Sequence, residues 1–307
     1  QEIAPGFRGP ARLANRRFGY EMSGRGAGAF LPDLPANSDE LIAMLTVLYP
    51  EAPSLAVHVQ NLMFRGWSMP QLLEATRSRL QSWEVLHSAL EGWVHPTVPG
   101  PAISSERFAV RRSVADALGR AWRFSDAMSP MHSSNLLFEG LDFSGFSDMP
   151  DLPEHYAEIN YLTLSRVTGG AEDINRLLGR FPRVRRLEIL GGGLTQLPDG
   201  LAGMQELTHL SLEGMRLTID QAAFDLFMRI RNLDELDLTG NIIGEFTDIE
   251  RLRLSTLWLN DTGLTQWPAW AEHLGLRSLD ISDNQIVHLP NHIVENSENQ
   301  VWQLTIH

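Results

Sequence analysis

One stretch of this chain constrains its fold more than any other. Between residues 233 and 243, apolar residues stand at Leu233, Leu236, Leu238 and Ile243, with Asn241 between them, in the spacing L-x-x-L-x-L-x-x-N-x-L. The same template fits Leu276, Leu279, Ile281, Asn284 and Ile286. With another residue at the Asn position it fits Leu254, Leu257, Leu259, Thr262 and Leu264. It also fits Leu207, Leu210, Leu212, Met215 and Leu217, and Val184, Leu187, Ile189, Gly192 and Leu194. Weaker copies start at Phe138 (Leu141, Phe143, Phe146), Ile159 (Leu162, Leu164) and Val301 (Leu304, Ile306). The starts at 138, 159, 184, 207, 233, 254, 276 and 301 are separated by 21, 25, 23, 26, 21, 22 and 25 residues. No single unit of that size can bury its own apolar face, so the units must stack.

The period and the template are those of the leucine-rich repeat. The x-L-x-L-x stretch alternates and is a short strand with one buried face. Stacking such units predicts an α/β solenoid, a horseshoe with a parallel sheet on its concave side. At the Asn position a side-chain amide can satisfy backbone groups left free by the turn. Asn241 and Asn284 fill it, and Thr262 does part of the job. Gly192, Met215 and Val167 cannot, so the early repeats are expected to be less regular. The longer steps leave room for helices over 171–181 and 220–230, the shorter ones only for extended or 3₁₀ backing.

Ahead of the array the periodicity changes. Residues 1–36 are rich in Gly and Pro, show no sustained period and read as an irregular segment of loop or extended chain. Residues 37–135 read as an all-α N-terminal region that caps the repeats. Its helices start at Ser38-Asp39-Glu40, at Ser54, at Met69 or Pro70, and at Ser104. The longest runs to Val94, with Leu72, Leu73, Thr76, Leu80, Trp83, Leu86, Leu90 and Trp93 at helical spacing. The aromatic stripe Trp83–Trp93 reads as packing within a bundle. A stack of repeats must cover its first apolar edge, and this region is placed to do so. Residues 136–307 then form about eight repeats, the last of them cut short.

Composition removes whole chemistries. The chain has 307 residues and no Cys, and all 25 residues counted as Lys+Arg are Arg. Without Cys there is no thiol nucleophile, disulfide frame or CxxC zinc site. Without Lys there is no Walker-A lysine, Ser–Lys dyad or Schiff base. Charge is uneven. Residues 1–135 hold 13 Arg and 12 acids, net +1, and residues 136–307 hold 12 Arg and 26 acids, net −14, which together give the −13 of the whole chain. So acidic a half repels nucleic acid and anionic lipid. No apolar run approaches a membrane span.

No catalytic constellation, metal site or cofactor motif is read from the sequence. Asp261-Thr262-Gly263 spells an aspartic-protease triplet, and Gly191-Gly192-Gly193 has the composition of a phosphate loop, but both fall on repeat turns. Asn260-Asp261-Thr262 matches a glycosylation acceptor. What remains is the concave face. Its middle row reads Thr163, Glu188, Ser211, Asp237, Trp258, Asp280, Thr305. The row before reads Tyr161, Arg186, His209, Glu235, Thr256, Ser278, Gln303, and the row after Ser165, Leu190, Glu213, Thr239, Asn260, Ser282. Large side chains on such a face point to a protein-binding surface. The candidates are Tyr161, Arg186, Glu188, His209, Glu213, Glu235, Asp237, Trp258, Asn260 and Asp280. Trp258 between Asp237 and Asp280 is the expected hot spot, and the acidity fits a protein partner with a basic patch.

The run Tyr49-Pro50, Gly66, Trp83-x-x-Leu86-x-x-x-Leu90-x-x-Trp93-Val94 and Ala117-Leu118-x-x-x-Trp122-Arg123, followed by Leu-Pro-tailed repeats, resembles large Pseudomonas-type effector or toxin-like proteins. These are similar to the IpaH-type bacterial E3 ubiquitin ligases, in which leucine-rich repeats precede a novel E3 ligase (NEL) domain. The resemblance covers about residues 40–307. It implies a virulence effector made in the bacterial cytoplasm, secreted, and delivered into the host cell. Its repeats would select a host protein substrate and possess no catalytic residue. The ligase domain, with its catalytic Cys and its E2~ubiquitin partner, would lie outside these residues. The missing Lys fits either a GC-rich genome that favours Arg codons or, in a recognition arm held beside a ubiquitin ligase, selection against a side-chain amine for self-modification. Two other readings fit the repeats alone: an interaction scaffold without ligase activity, and a spacer after a toxin domain.

Overall fold

The helices form where caps and apolar periodicity coincide. The computed structural model describes residues 7–12, 18–22, 35, 37–96, 103–126, 128–144, 146, 148–151, 156, 158–244, 251–295 and 303–305. The chain divides into two compact units, Gln1–Trp83 and Glu84–His307, with the boundary inside one long helix.

In the first unit, strands β1 (Phe7–Arg12) and β2 (Phe18–Met22) pair antiparallel, with Pro10 opposite Tyr20 and Arg12 opposite Phe18. This hairpin departs from the irregular segment expected over 1–36. Phe7, Phe18 and Tyr20 favour extended backbone, a local signal that a search for long periodicity passes over. The rest of 1–36, apart from residue 35, lies outside the described residues. Helix α1 (Ser38–Leu48) carries Asp39 and Glu40 in its first turn and buries Leu41, Leu45 and Leu48. Helix α2 (Leu55–Phe64) ends where Gly66 takes φ +98° and Arg65, Gly66 and Trp67 N–H groups donate back to its last turn. Helix α3 (Met69–Val94) starts behind Ser68, whose N–H donates to Gln71 Oε1 at 2.9 Å, the return half of a capping box.

In the second unit the last part of α3 buries Leu86, Leu90, Trp93 and Val94. Helix α4 (Ser105–Phe124) is capped by Ser104, which accepts from Arg107 N–H. It packs on the first strand of the repeats, β3 (Asn135–Glu139). Trp93, Phe146, Phe143 and Phe138 form a chain of edge-on ring contacts at 5.1, 5.6 and 5.3 Å, carrying the helical core into the sheet. Arg111, 5% exposed, donates to Trp93 O and to Asp148 Oδ2, both at 2.7 Å. Tyr156, equally enclosed, donates from Oη to Leu118 O at 2.8 Å, and burial pushes its phenol pKa up.

The repeats follow: β4 (Tyr161–Ser165), α5 (Ala171–Leu178), β5 (Arg186–Leu190), β6 (His209–Ser211), β7 (Thr218–Ile219), α6 (Gln221–Phe227), β8 (Glu235–Asp237), β9 (Ile242–Ile243), β10 (Thr256–Trp258), β11 (Ser278–Asp280), α7 (Asn291–Glu295) and β12 (Gln303–Thr305). Short 3₁₀ helices at Asp199–Gly203 and Ala269–Leu274 stand where the sequence leaves no room for an α-helix. Eight strands form one parallel sheet in the order β12-β11-β10-β8-β6-β5-β4-β3, and β7 and β9 form a two-stranded parallel sheet beside it. This is an α/β solenoid of leucine-rich repeats behind a helical N-terminal region. The inner pairs Leu162/Leu164, Leu187/Ile189, Leu236/Leu238 and Leu257/Leu259 are all fully buried.

Two expectations change. The first repeat does not start at Phe138. Leu136 pairs with Leu162 and Phe138 with Leu164, so Phe138 is the second inner residue and the unit starts at Ser133, five residues earlier. A serine at the leading apolar position hides that start, and Leu141 and Phe143, which follow the strand, imitate its inner residues. Second, β3, β4 and β5 have five residues each, against three in β6, β8, β10 and β11. The early strands are the longer ones although their turns lack Asn. In the later repeats Asp237 and Asp280 accept from the N–H two residues on, at 2.9 and 3.0 Å, and close a local turn at the strand end. The expected start of the last repeat, Val301, and its Ile306 lie outside the described residues.

Candidate functional site

In-register parallel strands carry their side chains across the sheet in straight rows. Tyr161, Arg186, His209, Glu235, Thr256, Ser278 and Gln303 are successive partners, as are Thr163, Glu188, Ser211, Asp237, Trp258, Asp280 and Thr305. These are the two rows that the repeat template gives. The inner leucines anchor the register: a slip by one residue would turn every one of them into solvent.

The rows are linked by short-range polar contacts. Arg186 Nε donates to Glu188 Oε1 at 3.1 Å, and its guanidinium carbon lies 5.5 Å from the Tyr161 ring centroid. Burial, and then its hydrogen bond with Glu188, holds the Tyr161 phenol above its usual pKa. His209 Nε2 lies 2.9 Å from Glu235 Oε1 on the next strand, and its Nδ1 lies 2.7 Å from Thr208 Oγ1. Ser211 Oγ donates to Asp237 Oδ2 at 3.2 Å. Further along, Asn260 Nδ2 donates to Ser282 Oγ at 2.6 Å, and Ser282 Oγ donates to Asp280 Oδ1 at 2.7 Å.

Seven of the ten candidates, Arg186, Glu188, His209, Glu213, Glu235, Asp237 and Trp258, line one depression of about 220 Å³ on the open face, with Ser211 and Leu190. Tyr161 stands at its edge, stacked on Arg186. Asn260 and Asp280 are not part of it. They sit past Trp258, engaged with Ser282, and Asn260 is a half-buried member of a turn rather than a free amide. The sequence reading places Ser211 and Leu190 in the rows without marking them, although a small residue among large ones is what opens a hole. It misses Leu137, which pairs with Thr163 in the middle row and is 54% exposed, because the first repeat is set five residues late. The alternation of Leu136 and Phe138 around it is the signal that finds it.

The two catalytic-looking triplets are repeat turns. Asp261 takes φ +50°, and Thr262 is buried with its hydroxyl donating to Leu259 O at 2.8 Å. Gly191 and Gly193 N–H groups donate to Glu213 O and Val167 O in neighbouring repeats. Among the described residues, no group of three or more His, Asp or Glu is arranged to hold a metal ion. No helix there is long and apolar enough to cross a membrane.

Comparison with known proteins agrees with the repeat assignment at one unit: the leucine rich repeat family model matches residues 275–296. No curated protein sequence matches the chain. Among solved structures, an internalin from Listeria monocytogenes is similar with a TM-score of 0.44 at 14% identity, over 69% of this chain and 60% of its own length. The leucine-rich repeat domain of the type III effector XopL is similar with a TM-score of 0.31 at 16% identity, over 91% of this chain and 73% of its own. The chain thus spans about 60% of the length of that internalin.

Proposed function

We propose that the repeats are a protein-recognition module and that the open face of the sheet between β5 and β11 is its binding surface. The observation that carries this reading is the register that sets Trp258 between Asp237 and Asp280 in the middle row, beside a depression lined by further carboxylates. A large aromatic side chain on an open sheet face, flanked in its row by two aspartates, has the composition of an interface anchor. A net charge of −14 over residues 136–307, from 12 Arg and 26 acids, attracts a basic partner and repels nucleic acid. Capture of a partner from host lysate by the wild-type chain should fall with Trp258→Ala and with Asp237→Arg. Unchanged capture by both variants sinks the reading.

The finer form of the proposal makes this module the substrate-recognition arm of a bacterial E3 ubiquitin ligase effector, acting on a host protein in the host cytoplasm. Its support is the resemblance carried by Tyr49-Pro50, Gly66, Trp83, Leu86, Leu90 and Trp93 ahead of the repeats, together with the absence of lysine from all 307 residues. Incubating the full-length gene product with E1, E2 and ubiquitin should yield conjugates, and no conjugate refutes the finer form while leaving the recognition module standing. If the missing lysine guards against self-modification, several surface Arg→Lys changes should raise self-ubiquitination.

A further inference from the structure

The depression on the open face has a definite cause. Ser211 is the smallest side chain of its row and stands between Glu188 and Asp237 on the neighbouring strands. The rows above and below it are filled by His209 and Glu213 of its own repeat. A serine surrounded by long side chains leaves a hole, lined also by the buried Leu187 and Leu210 and by Trp258. At about 220 Å³ it has room for roughly seven waters at ~30 Å³ each, the bulk of one long side chain.

The charges around the hole are not equivalent. Its two cationic or titratable bases are already engaged: Arg186 with Glu188 and the Tyr161 ring, His209 with Glu235. Glu213 is exposed and its carboxylate makes no hydrogen bond or ion pair among the described residues. Asp237 accepts from Thr239 N–H on Oδ1 and from Ser211 Oγ on Oδ2 at 3.2 Å, and the second contact is one that an incoming donor can replace. The charges without a cationic partner are therefore two carboxylates, in a hole that Trp258 also lines.

We infer that this hole is a receptor slot for a single arginine side chain presented by a protein partner. A planar guanidinium stacks on an indole and forks its N–H groups to carboxylates, whereas an ammonium is a compact, more strongly hydrated charge. The slot rests on the recognition reading above and names what its centre takes. Arginine fits this lining better than an extended anion or an apolar anchor, because the charges left without a cationic partner, on Glu213 and Asp237, are both acids and the apolar lining is mostly leucine.

The test uses the full chain and capped pentapeptides, Ac-Ala-Ala-Arg-Ala-Ala-NH2 and its lysine and citrulline counterparts. Binding is followed by NMR at the Trp258 indole N–H, assigned with Trp258→Phe. The arginine peptide should shift that signal saturably, with a Kd of the order of millimolar for one anchor. Lysine should bind more weakly, and citrulline, which keeps the shape and loses the charge, by about tenfold or more. Ser211→Met fills the hole without changing any charge and should weaken the arginine peptide about tenfold. Glu213→Gln, at an exposed site, is the variant that leaves packing alone and should weaken it severalfold. Equal binding of arginine and citrulline, no saturable shift, or wild-type affinity in both Ser211→Met and Glu213→Gln overturns the slot. Partner capture that is lost with Trp258→Ala but indifferent to Ser211→Met overturns the slot and leaves the recognition surface intact.

Discussion

Asn241 is where the repeat's side-chain chemistry can be weighed most directly. Its Oδ1 accepts from Leu217 N–H at 3.0 Å, and its Nδ2 donates to Leu212 O at 2.7 Å, Leu238 O at 3.0 Å and Thr239 O at 3.3 Å. The residue is 2% exposed, so no water replaces those contacts when the amide is removed. The Nδ2 has two hydrogens to share among three carbonyls and Oδ1 accepts one N–H, so these contacts amount to three full hydrogen bonds. At about 1 kcal/mol net for each, with a further cost for orphaned buried groups, Asn241→Ala should destabilise the repeats by about 3–4 kcal/mol. For a unit of this size that lowers Tm by roughly 6–16 °C. Asn241→Asp retains the acceptor and sets a negative charge against the carbonyls, so it should cost at least as much as Ala. Asn284 makes the matching contacts but is only half-buried, and Asn284→Ala should cost about half as much. Urea titration followed by far-UV circular dichroism and tryptophan fluorescence reads all three. A loss below about 1 kcal/mol for Asn241→Ala, or an Asp variant as stable as wild type, refutes the assignment of the turn's stability to this amide.

Three more outcomes follow from particular contacts. Gly192 stands at the same template position, yet a Cβ there would lie 2.4 Å from Val167 O at φ +100°. Gly192→Asn, which restores the template residue, should therefore destabilise by about 2–5 kcal/mol in a thermal melt instead of stabilising. Arg111→Met keeps the stem and loses two charge-assisted bonds, so it should cost about 2–3 kcal/mol, while Asp148→Asn at the other end, 57% exposed, should cost under about 1 kcal/mol in the same urea titration. Glu91 is held below its usual carboxylate pKa of 4.5, first by its hydrogen bond from Arg112. A depressed pKa contributes stability above the unfolded value that is lost as pH falls through the folded one. The stability gap between wild type and Glu91→Gln, measured by denaturation across pH 3–7, should hold above about pH 4.5 and close below it.

What was legible in the sequence was whatever depends on period. The inner leucines fix strand register, and register fixes neighbours, so the pairing Asp237–Trp258–Asp280 follows from spacing alone. Helices α1 to α4 were legible for the same reason, through caps such as Ser104 and stripes such as Leu86, Leu90 and Trp93. Period fails where one position departs from type. Ser133 at a leading apolar position moved the first repeat by five residues and with it the exposed Leu137. The β1–β2 hairpin stands outside the repeats, so no long period marks it. The depression is a third kind of failure. It exists because of what Ser211 lacks relative to Glu188, Asp237 and Trp258, and an absence of volume becomes visible only when neighbouring rows are set side by side.

The early turns, which lack Asn, raise a further point about what holds the repeats in step. Asn occupies the template position in only two of the well-fitted units, yet the sheet runs unbroken from β3 to β12. A second feature recurs at every one of the described turns. Two residues beyond the second inner apolar residue, the backbone takes a positive φ: Gly140 at 63°, Arg166 at 51°, Gly191 at 60°, Gly214 at 67°, Gly240 at 70°, Asp261 at 50° and Asp283 at 58°. From Gly140, Arg166, Gly191, Gly214, Gly240 and Asp261, the N–H then donates to the carbonyl of the equivalent loop in the next repeat. A left-handed residue there aims that N–H across the stack, and this needs no side chain, so the bond forms whether or not Asn follows at the template position. The amide ladder of Asn241 and Asn284 strengthens a turn whose geometry the backbone already sets. Arg166 is the exception that carries a cost, since a long side chain enters the left-handed region less readily than Gly or Asp. Its exposed ion pair with Glu139 on the preceding strand, worth little in water, offsets only part of that strain.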